Sequence, residues 1–292
     1  MVALVLLPGA VRAQEVPVYK FAVDVDLVEL HVTVLDEKDR PVSGLKKEHF
    51  KILENRVVQP ISLFKHEDIP VSLGLVIDNS RSIEPRKQRL DAAALSFVRK
   101  SNPEDETFII HFDDTARIAQ NFTASVSDLE TTLAGVKPFG QTAIYDALHL
   151  ALDKMTEAKH NKKAVLLITD GVDNVSVKTL EETVEKVKRD RVAVYVVGLL
   201  SLSGGLQAEQ SMIRIADASG GRAYFPQNVD EARTTMERIA RDLREQYTLG
   251  YLPTNPNRDG AWRSVRVEIT PPAGFPQKLN ANYRHGYYGP EK

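Results

Sequence analysis

Apolar and polar residues alternate along two short stretches near the start of the chain. One runs from Val23 to Leu27 and the other from Leu30 to Val34, with an apolar side chain at every second position. A period of two places the apolar side chains on one face of an extended chain. Both stretches are therefore predicted to be half-buried β-strands.

Further short apolar stretches with polar breaks follow before residue 70. They predict strands at 41–45, 50–54 and 60–64. The charged stretch Asp36–Arg40 precedes them. Its carboxylates, at 36, 37 and 39, could bind calcium, but basic residues are interleaved with them, which favours a solvated hairpin turn.

From about Val71 the pattern changes to continuous apolar runs that alternate with amphipathic stretches. The runs lie at 72–77, 107–112, 164–169 and 192–198. Apolar residues at three- and four-residue spacing predict helices between them, over 90–98, 144–155 and 180–187. Strands buried on both faces and joined by such helices indicate an α/β fold, a three-layer α/β/α sandwich with a doubly wound, mainly parallel sheet.

The last part of the chain returns to β character, with strands predicted at 247–251, 264–269 and 281–284. Asn255–Gly260 resembles the start of an EF-hand loop, but Arg266 occupies the twelfth position, where a bidentate glutamate is needed. We predict a hairpin turn there. The terminal segments are each too short for a core of their own, so we expect them to form one small β-sandwich into which the α/β domain is inserted. The predicted parts are 20–68, 70–245 and 246–289.

The amino-acid composition limits which partners and which kinds of site are expected. The chain has 292 residues, 42% of them apolar, and a formal net charge of −2. Without a basic bias, nucleic acid is not an expected partner. The absence of cysteine excludes disulfides, thiolate zinc sites and cysteine nucleophiles.

The first residues are typical of an exported protein. Met1–Leu7 is almost wholly apolar, and Val11-Arg12-Ala13 precedes Gln14 in the manner of a signal-peptidase site, although no basic region comes before the apolar run. We therefore interpret residues 1–13 as the remnant of a signal peptide and expect the protein in the periplasm, at the cell surface or secreted. No later stretch reaches the ~20 apolar residues that span a bilayer, so no transmembrane segment is expected.

Five oxygen-bearing residues follow the predicted parallel strands. They are Asp78, Ser80, Ser82, Thr142 and Asp170. Ligands of such sheets bind beyond the carboxyl ends of the strands, so these side chains are predicted to converge. Hard oxygen ligands suit Mg²⁺, with Mn²⁺ or Ca²⁺ as alternatives. Taken singly, the hydroxyls could instead cap helices and the aspartates could bind loop amides.

The set resembles the metal-ion-dependent adhesion site of the von Willebrand factor type A domain. The resemblance covers about 70–245 and includes a late strand, helix and closing strand over 193–225, with Gly220-Gly221 as the turn that ends the helix. The whole arrangement, with 50–55 early and 246–251 late, is similar to von Willebrand factor A-related proteins of acidobacteria.

The resemblance implies a role in binding rather than catalysis. In the family the second aspartate typically acts through water, so the metal stays electrophilic and a partner's Asp or Glu completes its shell. We therefore expect a non-enzymatic, metal-dependent adhesion or protein-binding module of the bacterial envelope or exterior. A metal-independent envelope scaffold is the alternative. A hydrolase that uses the cation as a Lewis acid is a third reading, which lacks a general base.

Other polar residues near these strands are open to two interpretations. His111 is expected to be a strand residue, and Asp113 and Asp114 to form the adjoining turn or to lie near the metal. Asp146 either supports the site from behind or starts a helix.

Overall fold

The computed structural model describes residues 27–100, 102–134, 136–199 and 205–291. The predicted signal peptide and the first alternating stretch up to residue 26 lie outside the described residues. Strands in the described ranges are β1 Val28–Leu35, β2 Phe50–Glu54, β3 Val57–Gln59, β4 Ile61–Lys65, β5 Val71–Asp78, β6 Glu106–Phe112, β7 Ala116–Thr123, β8 Lys162–Thr169, β9 Ala193–Gly198, β10 Ala223–Tyr224, β11 Tyr247–Tyr251, β12 Trp262–Ile269, β13 Asn280–Asn282 and β14 Gly286–Tyr288.

The helices of the described ranges are α1 Lys87–Arg99, α2 Val126–Leu133, α3 Ile144–Lys154, α4 Leu180–Asp190, α5 Gly205–Ser219 and α6 Val229–Arg244. None of them combines the length and the apolar character that crossing a bilayer requires.

The central sheet has the strand order β10-β9-β8-β5-β6-β7, and all its pairings are parallel except β6 with β7. Successive residues of a buried strand face opposite sides, so Leu75 packs with α1 and α6 on one face, whereas Val76 packs with α3 on the other. The predicted three-layer α/β fold with its doubly wound sheet is confirmed.

The remaining strands form two antiparallel sheets, in the orders β13-β1-β11-β4 and β14-β12-β2-β3. Each sheet combines strands from both ends of the chain, and apolar side chains of both sheets share one core that includes Val32, Ile52, Leu249 and Val267. This arrangement confirms the predicted β-sandwich built from the terminal segments.

Two local predictions were wrong. Residues 41–45 do not form a strand: Pro41, which cannot donate a backbone hydrogen bond, makes only an isolated bridge to Leu35, and Gly44 has a φ of 85°. Asn255–Gly260 is not a hairpin turn, because β11 and β12 belong to different sheets and the segment crosses between them. In contrast, Asp36–Arg40 is the predicted turn, in which Asp36 Oδ1 accepts from the backbone N–H groups of Lys38 and Arg40, both at 2.9 Å.

Five elements were not predicted. They are the strands β3, β7 and β14 and the helices α2 and α6. The sequence carried a signal for α6, because Ala232, Met236, Ile239 and Leu243 are all buried at three- and four-residue spacing. The predicted turn after α5 is present, since Gly220 adopts a φ of 81° and Gly221 N–H donates to Ala216 O at 3.0 Å.

Candidate metal centre

The candidate site lies where the strand order of the central sheet reverses. Asp78 is the last residue of β5, the strand that has β6 on one side and β8 on the other. The crevice outside the carboxyl ends of strands at such a point is the usual ligand site of open α/β sheets. Asp170 directly follows β8, so the two aspartates begin neighbouring loops.

Asp78 is fully buried and accepts two hydrogen bonds. Its Oδ1 accepts from the backbone N–H of Ser80 at 2.8 Å, and its Oδ2 accepts from Thr169 Oγ1 at 2.5 Å. Burial raises the pKa of Asp78 to about 6; these hydrogen bonds oppose the shift, and the negative charge of Asp170 adds to it. A carboxylate in this environment gains from a nearby cation.

Side-chain hydrogen bonds continue from this loop to the second aspartate. Ser80 Oγ lies 3.0 Å from Ser82 Oγ, and Ser82 Oγ donates to Asp170 Oδ1 at 2.7 Å. The other oxygen, Asp170 Oδ2, accepts from Arg86 Nη1 at 2.7 Å. Four of the five predicted residues therefore belong to one connected network.

Thr142 is joined to the same region through the loop after β8. Its backbone N–H donates to Asn174 Oδ1 at 3.0 Å, and its carbonyl accepts from Asn174 N–H at 3.1 Å. Gly171 allows the loops to approach closely, because a Cβ at that position would lie 3.0 Å from Thr142 Oγ1. Thr142 Oγ1 thus sits beside the loop that begins at Asp170.

Helix capping does not account for these hydroxyls. The N-cap residues of α1 and α3 are Arg86 and Ala143, and neither helix has a side-chain cap. Ser80 precedes a short 3₁₀ turn but accepts no capping hydrogen bond there. The alternative that Asp78 binds a loop amide is borne out for one of its oxygens only.

The donor set fits a hard divalent cation. It offers carboxylate and hydroxyl oxygens, the ligands that Mg²⁺ and Mn²⁺ prefer. Asn79, between Asp78 and Ser80, is fully buried, and its amide oxygen and nitrogen have no partner among the described residues, which leaves hydrogen-bonding capacity next to the site. The described residues contain no metal-binding cluster of three or more His, Cys, Asp or Glu, so a cation here depends on the hydroxyls.

The structure also shows supporting residues whose roles the sequence left open. Asp114 Oδ1 accepts from Gln141 N–H at 2.7 Å, and Asp146 accepts from the backbone N–H groups of Val177 and Lys178 at 3.0 and 2.8 Å. Both aspartates hold loops at the edge of the site. His111 is a buried residue of β6, and burial lowers its pKa to about 4.

Thr169 and Arg86 were missed as functional candidates. Thr169 is the last residue of β8, and Arg86 lies just before α1. The only available signal was their proximity in sequence to Asp170 and Ser82. Which oxygen each one would bind depends on side-chain positions that spacing does not specify.

The rim of the site exposes apolar side chains. Phe139, Val172 and Val177 are 60%, 41% and 86% exposed, and all three lie in loops at the carboxyl edge of the sheet. Ile144, Val172 and Met212 also line a cavity of about 280 Å³ between α3 and α5. These exposed apolar side chains are available for contact with a partner.

Comparison with known proteins agrees with this fold. Residues 73–172 match the family model of the von Willebrand factor type A domain. No curated protein sequence matches the chain.

Solved structures with the same fold come from several sources. The von Willebrand factor type A protein from Catenulispora acidiphila is 11% identical, with 93% of this chain and 76% of that one covered and a TM-score of 0.54. The PilB minor pilin from Streptococcus sanguinis is 14% identical, with 64% and 63% covered and a TM-score of 0.52.

A third similar structure contains a metal. Proximal thread matrix protein 1 from the mussel byssus, with a zinc-occupied MIDAS motif, is 21% identical, with 64% of this chain and 48% of that one covered and a TM-score of 0.53. This chain spans less than two thirds of the pilin and about half of the byssus protein. At these identities the likeness shows the fold alone.

Proposed function

We propose that the von Willebrand factor type A domain of this chain is a non-enzymatic, metal-dependent adhesion or protein-binding module. The hydrogen-bonded network that joins Asp78, Ser80, Ser82 and Asp170 carries the proposal. Thr142 lies beside the same loop and completes the proposed ligand set. The byssus protein with its zinc-occupied site supports a divalent cation in this fold.

Mg²⁺ is the proposed ion, with Mn²⁺ or Ca²⁺ as alternatives. When bound, the ion would supply a Lewis-acidic centre that accepts an additional oxygen ligand. The residues of this chain would hold it with two carboxylates and three hydroxyls. Arg86 offsets one of the two negative charges, which favours a further carboxylate, from an Asp or Glu of the partner.

The partner is proposed to be a protein. A carboxylate on the ion would fix its position, and the exposed Phe139, Val172 and Val177 would bury apolar surface around that contact. Domains of this family are generally interaction modules, which supports a non-enzymatic role. Export to the periplasm, cell surface or exterior of a bacterium agrees with the pilin among the similar structures and remains part of the proposal.

A metal-independent scaffold is the second candidate, and one observation favours it. Both oxygens of Asp78 and both oxygens of Asp170 already accept hydrogen bonds from the protein. The network is therefore complete without an ion and could serve only to join the loops.

Calorimetric titration with Mg²⁺ and Mn²⁺ distinguishes the two candidates. We expect saturable binding to the wild-type protein and its loss in Asp78→Ala, with Ser82→Ala weakened. Ser82 is exposed, so its substitution tests the hydroxyl with little risk to the fold. The matched control is Ser127→Ala, on the exposed face of α2, which should bind as the wild type does.

The partner's carboxylate is tested by water proton relaxation of the Mn²⁺ complex. Acetate should displace a metal-bound water and lower the relaxation enhancement, whereas acetamide should not. Wild-type protein that binds neither cation would support the metal-independent scaffold. Binding that persists unchanged in Asp78→Ala would place the cation elsewhere.

A further inference from the structure

A second cavity lies at the junction of the α/β unit with the β-sandwich, where Arg191 precedes β9, at the opposite end of the strands from the candidate metal centre. It has a volume of about 430 Å³, which is within the range of small-molecule sites. Arg191, which follows α4, lines it from the α/β unit, and Arg258, Arg263 and Tyr287 line it from the sandwich.

The charge of the lining is one-sided. Three arginines line the cavity, and no Asp or Glu is among its described lining residues. Because the whole chain has a net charge of −2, this concentration of positive charge is local. Guanidinium groups bind carboxylates and phosphates through paired, charge-assisted hydrogen bonds.

Arg263 is the fixed member of the three. Its side chain is only 2% exposed, its Nη1 donates to Asn255 O at 3.2 Å, and its Nη2 donates to Asn257 O. Glu54 lies 3.7 Å from Nη1 but also accepts hydrogen bonds from the hydroxyls of Tyr251 and Tyr287. Arg263 Nε is buried without a partner among the described residues.

Arg191 and Arg258 are exposed. Among the described residues, neither of them forms an ion pair with a carboxylate within 4 Å. Arg284 is not a lining residue, but it lies near enough to Arg191 to be affected by its charge. Burial, together with the charge of Arg191, lowers the pKa of Arg284 to about 10. An anion placed near Arg191 would reduce this repulsion between like charges.

We propose that this cavity binds an anionic small molecule that carries a carboxylate or a phosphate group. The guanidinium groups of Arg191 and Arg258 hold the anionic group, and Arg263, whose charge is balanced by Glu54, lines the cavity behind them. Tyr287, Tyr288 and the rigid prolines 253, 256 and 290 provide walls for the uncharged part of the ligand. This site is independent of the metal centre.

The single tryptophan of the chain offers a direct reporter. Trp262 packs edge-on against Tyr288, with ring centroids 5.0 Å apart, and Tyr288 lines the cavity. Tryptophan fluorescence of the full chain is titrated with glucuronate and citrate as carboxylates and with glucose 6-phosphate and inorganic phosphate as phosphates. Glucose is the uncharged control, and ionic strength is held constant with NaCl to remove general screening effects.

We expect a saturable change with at least one anion and none with glucose. The carboxylates and the phosphates are compared as two series, and the series with the lower Kd identifies which anionic group the site prefers. Arg191→Asn and Arg258→Gln should each weaken binding about tenfold or more, in line with the loss of a charge-assisted hydrogen bond. Asparagine suits position 191 because Arg191 has a φ of 54°.

Arg89→Gln is the matched control, because Arg89 is an exposed arginine of α1 outside the cavity. It should leave the affinity unchanged, and Asp78→Ala should do so as well. The proposal is overturned if no anion gives a saturable signal, if glucose binds as well as glucuronate, or if Arg89→Gln weakens binding as much as the two cavity variants.

Discussion

At the scale of single residues, Arg86 determines much of the charge balance of the candidate metal centre. Its guanidinium lies 2.7 Å from Asp170 Oδ2, and the Asp170 side chain is only 1% exposed. The pair leaves the two aspartates and the arginine with a net charge of −1. Arg86 should therefore weaken the binding of a cation. The same positive charge makes the site with its bound cation more attractive to an outside carboxylate than it would be without the arginine.

Replacing Arg86 with glutamine should tighten the binding of Mg²⁺ and Mn²⁺. Because the arginine is 40% exposed, we expect an effect of about 1 kcal/mol, or roughly fivefold in Kd. Titration calorimetry of Arg86→Gln beside Arg89→Gln measures it. Equal affinities in the two variants would show that the ion pair does not compete with the metal.

The buried amine of Lys162 should make the stability of the protein depend on pH. Burial, together with the charge of Arg244, lowers the pKa of this side chain from 10.5 to about 7. Its Nζ donates to Leu243 O at the end of α6. The unfolded chain therefore binds more protons than the folded one between pH 7 and 10.5. The free energy of unfolding should rise across this window, because the cost of charging the buried amine is fully present only below pH 7.

The variant Lys162→Met should lose this rise. Urea unfolding at pH 6, 8 and 10 measures the free energy, and Lys163→Met is the control, since that neighbouring side chain is half-buried. In the wild type we expect the free energy of unfolding to rise by about a few kcal/mol over this pH range. If Lys162→Met shows the same rise, the effect belongs to another group.

At the scale of elements, the ends of helices are fixed by short-range hydrogen bonds. Asn228 is the N-cap of α6, and its side chain accepts from Glu231 N–H at 2.9 Å. Asn228→Ala should lower the free energy of unfolding by about 1 kcal/mol, whereas Asn228→Gly should cost only a few tenths. Urea denaturation of the two variants checks this order. If both variants cost the same, the cap bond contributes little.

Sequence periodicity was a good guide to most elements, but less so to β7, α2 and α6. The buried strands β5, β6, β8 and β9 have continuous apolar runs, which little else in a soluble domain resembles. The edge strand β7 is mostly half-buried or exposed, with a mixed pattern. Such a strand is held by its antiparallel pairing with β6, the preceding strand of the same hairpin, and the pattern of its own residues does not reveal that pairing.

At the scale of the whole molecule, the two ends of the α/β unit meet within the sandwich. Lys65, the last residue of β4, is the antiparallel partner of Thr248 in β11. The chain therefore leaves and re-enters the sandwich at neighbouring points. This arrangement supports the proposed boundaries, with residues 70–245 as an insertion between 20–68 and 246–289.

Two shortened proteins should therefore fold. Residues 70–245 alone should keep the α/β fold, and the chain in which a short Gly/Ser linker replaces 69–245 should keep the sandwich. Circular dichroism and dispersed NMR spectra check both. Cross-unit contacts, such as Arg222 with Asp39 at 3.0 Å, should make each part less stable than the full chain. If the variant that carries the Gly/Ser linker were disordered, this result would contradict the proposed domain boundaries.

The sequence by itself determined the types of most elements and the positions of the five candidate ligands along the chain. Hydrophobic period specifies strand or helix locally, and residues that follow parallel strands must lie at one edge of the sheet. Tertiary structure alone decided which distant groups meet. The ion pair of Arg86 with Asp170, the burial of Arg263 beside Glu54 and the arginine-lined cavity all join residues from separate elements. Their energies depend on distances and burial, which are properties of the packed chain and do not appear in the spacing of residues along it.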